Sequence, residues 1–196
     1  MRCHAPMASV ELMGEGATPT MDLLYRNDDL SQLALDGVSC ALCHQLDDSN
    51  YGDPSLYSGG FRVRNDRELL GRFEDPYTEP MQERLGMTPA QGEHISQASA
   101  CAGCHTLFTP TLDEDGEELG IQFPEQTTYL EWKNSSYNNE SGAGHKARSC
   151  IQCHMVNSDD VTINTRIARA PSGEDFEEIQ ERDLVKKHTF VGGNYS

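Results

Sequence analysis

The sequence predicts a mainly α-helical fold with extensive coil and little β structure. Three observations carry that expectation. First, hydrophobic residues make up 36% and aromatics 7% of 196 residues, thin for a chain of this length. Second, apolar periodicity is confined to short segments, with long Gly-, Pro-, Asp- and Asn-rich stretches between them. Third, three Cys-x-x-Cys-His runs punctuate the chain: Cys40 to His44, Cys101 to His105 and Cys150 to His154. Each run is the attachment signature of a c-type haem. Two thiols on one turn of backbone form thioethers to one porphyrin edge, and the following imidazole reaches the iron. From this cysteine and histidine content, chance supplies on the order of 0.01 such runs, so three are not accidental. Fewer apolar side chains suffice when porphyrins supply buried surface, much as small domains rely on metals or disulfides.

Taken in order, Thr20 to Leu35 carries a helical pattern (Met21, Leu24, Leu30, Leu33) leading into Gly37 and the first motif. Residues 47–78 read as loop, with a brief strand at Phe61–Arg64. Thr88-Pro89 predicts a helix start, with Pro at the first helical position, running through His94 towards Cys101. Leu112 to Gly120 predicts a turn with Asp115-Gly116 at its tip. Asp113 and Asp115 give it a fragment of calcium-loop character without the remaining ligand spacing. Pro124 to Asn138 is the strongest helical segment, carrying Tyr129, Leu130 and Trp132, with Trp132 read as haem-packing core. Glu174 to Lys187 places acids first and lysines last, complementing a helix dipole. His188 and the Gly192-Gly193 pair follow.

The histidine count sharpens the chemistry. His44, His105 and His154 close the motifs as proximal ligands, and His4 follows Cys3. His94, His145 and His188 remain, one for each complete motif. That is the stoichiometry of bis-histidine ligation, which places irons at the low-potential end relative to Met ligation. Met81 and Met87 are the competing axial candidates. The anchoring thiols are Cys40, Cys43, Cys101, Cys104, Cys150 and Cys153. Cys3-His4 reads as the end of a fourth motif whose first cysteine precedes Met1, so a fourth, incomplete haem c site is expected there.

Competing metal chemistry fits less well. Zinc ribbons place cysteine pairs about 15–20 residues apart, whereas 57 and 45 residues separate successive pairs here. Zinc also gives no reason for a histidine after every second cysteine. Three dithiols without a βαβ pattern do not suit thioredoxin-like redox chemistry.

One domain over residues 1–196 is the expectation at this length. No run of 18 apolar residues occurs, so no membrane span is expected. A formal charge of −17 argues against nucleic acid and favours basic patches on redox partners or other cytochromes. Haem attachment takes place outside the cytoplasm, so a periplasmic or extracellular location is expected. Residues 1–30 hold no signal-peptide pattern, which predicts a piece of a longer precursor.

Several segments together resemble bacterial multihaem cytochromes c. They are Gly37-Val38-Ser39-Cys40, Glu125-Gln126 with Tyr129 to Trp132 and Ser135, Ser149 to Met155, and His188-Thr189-Phe190-Val191-Gly192-Gly193-Asn194. The resemblance is to the tetrahaem electron carrier of nitrifiers, in the superfamily that also holds hydroxylamine oxidoreductase and ammonia-forming nitrite reductase. It implies short helices and coil organised around closely packed haems. It also implies that His188 supplies a distal ligand and that further chain follows Ser196. Related sequences often carry a histidine after Trp-x-x-Ser, where Tyr137 stands here.

The leading functional expectation is electron transfer through several covalent, mostly bis-histidine haems. Two alternatives are kept. One is a fragment of a multihaem oxidoreductase acting on a small nitrogen or sulfur compound at an open haem. The other is a subunit of an extracellular cytochrome filament, an oligomer built through haem-edge contacts.

Overall fold

A computed structural model describes residues 1–142, 144–158, 172 and 185–192. It is a mixed structure, 35% helix and 17% strand, with short helices and much coil. In chain order the first elements are α1 (Pro6–Gly14), α2 (Asp29–Leu35), α3 (Cys40–His44), β1 (Leu46–Asp47), β2 (Arg62–Val63) and β3 (Glu68–Gly71). Then come α4 (Glu79–Leu85), β4 (Thr88–Gln91), α5 (Ser99–His105), β5 (Leu107–Leu112), β6 (Glu118–Gln126), α6 (Thr128–Lys133) and α7 (Cys150–His154). They sort into two compact units: Met1–Asn65 with Ser99–Ser135, and Asp66–Ala98 with Ser136–Ser196.

In the first unit, α1 starts on Pro6, whose missing N–H costs nothing at a helix start. Ala5, Ala8 and Leu12 form a buried cluster with Leu23 and Ala34, and Leu24, Leu30 and Leu33 pack against it. The segment read as one helical pattern from Thr20 to Leu35 is broken. Met21–Tyr25 is a 3-10 turn, Asn27 takes a positive φ of 54°, and α2 restarts at Asp29. Asp28 explains the break: its carboxylate accepts the Ser31 N–H at 2.8 Å and caps a new helix. Gly37, at φ 67°, turns the chain into the first motif helix, α3.

The brief strand expected at Phe61–Arg64 is present as β2, which pairs antiparallel with β1 (Leu46 with Val63, Asp47 with Arg62). Loop 57–60 is tied to the second motif: Gly59 N–H donates to the Gly103 carbonyl at 2.7 Å and Ser58 N–H to that of Thr106 at 2.8 Å. The expected turn at Asp115-Gly116 joins β5 to β6. The Asp113 carboxylate accepts the N–H groups of Asp115 and Glu117, and Gly116 takes φ 86°.

The helix expected from Pro124 to Asn138 is a correction. Pro124 to Gln126 belong to β6, where Pro124 faces Phe108, and only Thr128–Lys133 is helical. A two-stranded ribbon leaves each strand a free edge, so proline fits without losing a ladder bond. Leu119, Ile121 and Phe123 carry the strand period that leads up to it. Within α6, Tyr129 is buried, its hydroxyl 3.2 Å from Ser99 Oγ, and its ring stacks on Trp132 at 5.7 Å.

In the second unit, β3 pairs in parallel with β4, Glu68 facing Thr88 and Gly71 facing Gln91. Helix α4 connects them and stops at Gly86, φ 64°. The helix expected to open at Thr88-Pro89 is therefore a strand, followed by a separate 3-10 turn, Glu93–Ser96, that carries His94. Thr88 N–H bonds to the Arg67 carbonyl and Gly92 N–H to that of Gly71, so the backbone donors are committed to the sheet. Gly92 also lies against Leu70, where a Cβ would approach Leu70 Cβ to 2.9 Å. The helix expected over Glu174 to Lys187 lies mostly outside the described residues.

Candidate haem-attachment sites

All three Cys-x-x-Cys-His runs fold as a single helical turn or its end: α3, the last turns of α5, and α7. The reason is local. Ser39 and Ser149 stand at the N-caps of α3 and α7. At Ser149 the capping box is complete, with Ser149 N–H donating to Gln152 Oε1 at 2.7 Å and Gln152 N–H to Ser149 Oγ at 3.4 Å. A helical turn puts cysteines i and i+3 on one face, which is the arrangement two thioethers to one porphyrin require. None of the seven cysteines is in a disulfide, and each is exposed or half-buried.

The first unit contains the α3 and α5 motifs and Cys3-His4. The second contains the α7 motif and all three remaining histidines: His94, His145 and His188. His94 is half-buried, while His145, His188 and His4 are exposed. Met81 and Met87 are half-buried in the second unit, Met81 on α4. Cys3 lies against Cys104. A hydrogen bond from the Cys104 thiol pulls Cys3 down to about 7 and pushes Cys104 up, burial adding to the rise at Cys104. A thioether at Cys104 would remove that donor.

The best-defined candidate ligand is His154. Its Nδ1 lies 2.6 Å from the Val191 carbonyl oxygen, and since a carbonyl only accepts, Nδ1 carries the proton. Nε2 then holds the free lone pair. The Val191 N–H returns a bond to the His154 carbonyl at 2.9 Å. Beside it, Lys187 N–H bonds to the Val156 carbonyl, Ser158 N–H to that of Val185, and Asn157 pairs antiparallel with Lys186. Residues 185–191 thus run back along 154–158. No sequence signal marks Val191, because it acts through its backbone.

The surroundings suit a porphyrin. Leu35 and Val38, just before Cys40, are 67% and 59% exposed, and Phe190, beside the α7 motif, is 58% exposed. In the second unit a cleft of about 460 Å³ is lined by Ile151 and Gln152 of α7 together with Arg72 and Lys186, two cations in a strongly acidic chain. Among the described residues, no three His, Cys, Asp or Glu side chains converge as a zinc or calcium site would require. Nor, among them, is any helix long and apolar enough to cross a membrane. Comparison of the chain with protein-family models, curated proteins and solved structures gives no match.

Proposed function

We propose that this chain is an electron-transfer protein carrying c-type haems at Cys40/Cys43, Cys101/Cys104 and Cys150/Cys153. The observation that carries the reading is the repeated motif itself, three times on a helical turn with its cysteines outside any disulfide, and once with the imidazole tautomer already set. A bound haem supplies one-electron exchange between ferric and ferrous iron. The chain's own residues do the rest. Six cysteines anchor, and His44, His105 and His154 ligate from the proximal side. His94, His145 and His188 close the distal positions. The Val191 carbonyl orients His154 by accepting a hydrogen bond from its Nδ1–H, a constraint that also makes Nε2 more basic. Arg72 and Lys186 offer positive charge beside α7, where propionate carboxylates need neutralising. Closed irons favour a carrier over small-molecule chemistry. Redox proteins or cytochromes with basic patches are the partners this charge suits, outside the cytoplasm.

The test is an EPR spectrum of the oxidised, haem-loaded protein, with haem quantified on the same sample. Three low-spin bis-histidine haems per chain, without a high-spin signal, are the expected result. A fourth haem or a substantial high-spin component would shift the reading to small-molecule chemistry at an open iron near Cys3-His4. Absence of covalent haem would remove it altogether.

A further inference from the structure

Within the first unit, residues 1–5 and the second motif hold one loop from two sides. The N–H groups of His4 and Ala5 donate to the Met1 carbonyl at 3.0 and 2.9 Å, so the chain ahead of α1 is a closed turn. Arg2 fastens that turn to the loop. Its Nη2 donates to the Phe61 carbonyl at 3.3 Å, and its guanidinium lies 5.2 Å from the centre of the Phe61 ring. Its stem lies against Gly59, where a Cβ would come within 2.7 Å of Arg2 Cβ. From the other side, Gly59 N–H donates to the Gly103 carbonyl at 2.7 Å, and Gly103 packs on Leu56 and Phe61. Cys3 follows Arg2, and Cys104 follows Gly103. The shared loop thus brings together two sulfurs far apart in sequence, and the Cys104 thiol hydrogen-bonds to Cys3. Both cysteines are half-buried, within reach of a small reagent.

We propose that Cys3 and Cys104 are a disulfide-forming pair, closing while the second motif is still without haem. The pairing stands on the contact alone, and its consequence for haem loading rests on the haem reading above. One cysteine attacks a disulfide oxidant, such as oxidised glutathione, and releases the first thiol. The other attacks the protein sulfur of that mixed disulfide and releases the second. Two protein thiols lose two protons and two electrons, and the oxidant takes them up as two thiols. The sulfurs have only to close from hydrogen-bond contact to about 2 Å. A thioether forms by adding S–H across a vinyl double bond, and a disulfide sulfur has no proton to add. Cys104 joined to Cys3 therefore cannot anchor haem until a dithiol reductant reopens the bond. In the oxidising location proposed above, loading of the second motif then depends on reduction.

The first experiment equilibrates the haem-free full chain in mixtures of reduced and oxidised glutathione, alkylates the remaining thiols and maps linked peptides by mass spectrometry. The expected result is one dominant pair, Cys3 with Cys104, lost in Cys3→Ser and retained in Cys101→Ser. Cys101 linked to Cys104, or Cys3 alkylated throughout, would overturn the proposal. Loading is read on chain produced in a bacterial periplasm with haem-attachment enzymes, by mass spectrometry of haem peptides. Occupancy at Cys101/Cys104 should rise on Cys3→Ser or on adding a dithiol reductant, with Cys40/Cys43 changing less. Equal occupancy at Cys101/Cys104 in wild type and Cys3→Ser, with and without reductant, would overturn the consequence for loading. If no motif takes haem even under reduction, the haem reading falls while the mapped pair stands.

Discussion

A Cβ added at Gly60 would fall onto the Ser55 carbonyl oxygen, a backbone atom that cannot swing aside. The surrounding loop has little freedom to absorb it. Asn50 Nδ2 donates to the Gly60 carbonyl at 3.0 Å, and the neighbouring Gly59 N–H is committed to Gly103 between the cysteines of the second motif. Gly103 itself is buried against Leu56 and Phe61, so the loop and the α5 motif are one packed object. Gly60→Ala should therefore destabilise the protein by roughly 1–3 kcal/mol, the range of overpacking strain, read by chemical denaturation. Its effect should also be local to one haem. Occupancy at Cys101/Cys104, read by mass spectrometry of haem peptides, should fall more than at Cys150/Cys153. Equal losses at both would show that the loop does not support the second motif. None of this was legible beforehand. Gly59-Gly60 reads as an ordinary turn pair, and only the partner backbone reveals that the second glycine has no space for a side chain.

The capping of α2 shows the same dependence at the scale of an element. This helix has seven residues, too few to persist on propensity alone. It is held by burial of Ser31 and Ala34 and by the Asp28 cap. Asp28→Ala should cost about 1 kcal/mol in denaturant unfolding, and Asp28→Asn should restore most of it, since Asn keeps a side-chain oxygen to accept the Ser31 N–H and Ala does not. If Asn failed to rescue, the 3.0 Å ion pair of Asp28 with Arg26 would be the larger contribution. The Cys-x-x-Cys-His runs were readable because their spacing is a strict local pattern, and the Asp115-Gly116 turn because its geometry is local. The β3–β4 pair and the end of β6 were not. Pro89 and Pro124 both look like helix starts in isolation, and each is instead a strand residue whose identity depends on a distant partner, Leu69 or Phe108. At α7, His154 was plain from the motif, whereas its hydrogen-bond acceptor is a main-chain oxygen 37 residues away. Sequence names side chains, and the acceptor here is not one.

For the molecule as a whole, a charge of −17 should make electron exchange with a basic partner fall steeply as salt rises. A stopped-flow rate that did not change between about 0.01 and 0.15 M ionic strength would exclude electrostatic docking. A larger consequence concerns what holds the fold together. Among the described residues the buried apolar set is small, and five of its fourteen members are alanines. As many large apolar side chains lie exposed, including Leu35 and Val38 ahead of α3 and Val156, Phe190 and Val191 around α7. Scattered exposed apolar residues are ordinary, but these five flank the Cys-x-x-Cys-His helices α3 and α7, where a bound porphyrin would cover them. At about 25 cal/mol per Å² of apolar surface removed from water, covering even 100 Å² at each motif stabilises by roughly 2–3 kcal/mol per haem. That is a large fraction of a domain's usual net stability. A chain with all six motif cysteines changed to serine should therefore melt well below the haem-loaded protein and bind a hydrophobic dye that the loaded protein excludes. Restoring one motif at a time should recover stability in steps. If the haem-free chain instead melted at the same temperature and bound no more dye, the side chains alone would constitute the core, and the exposed residues beside α3 and α7 would need another partner to explain them.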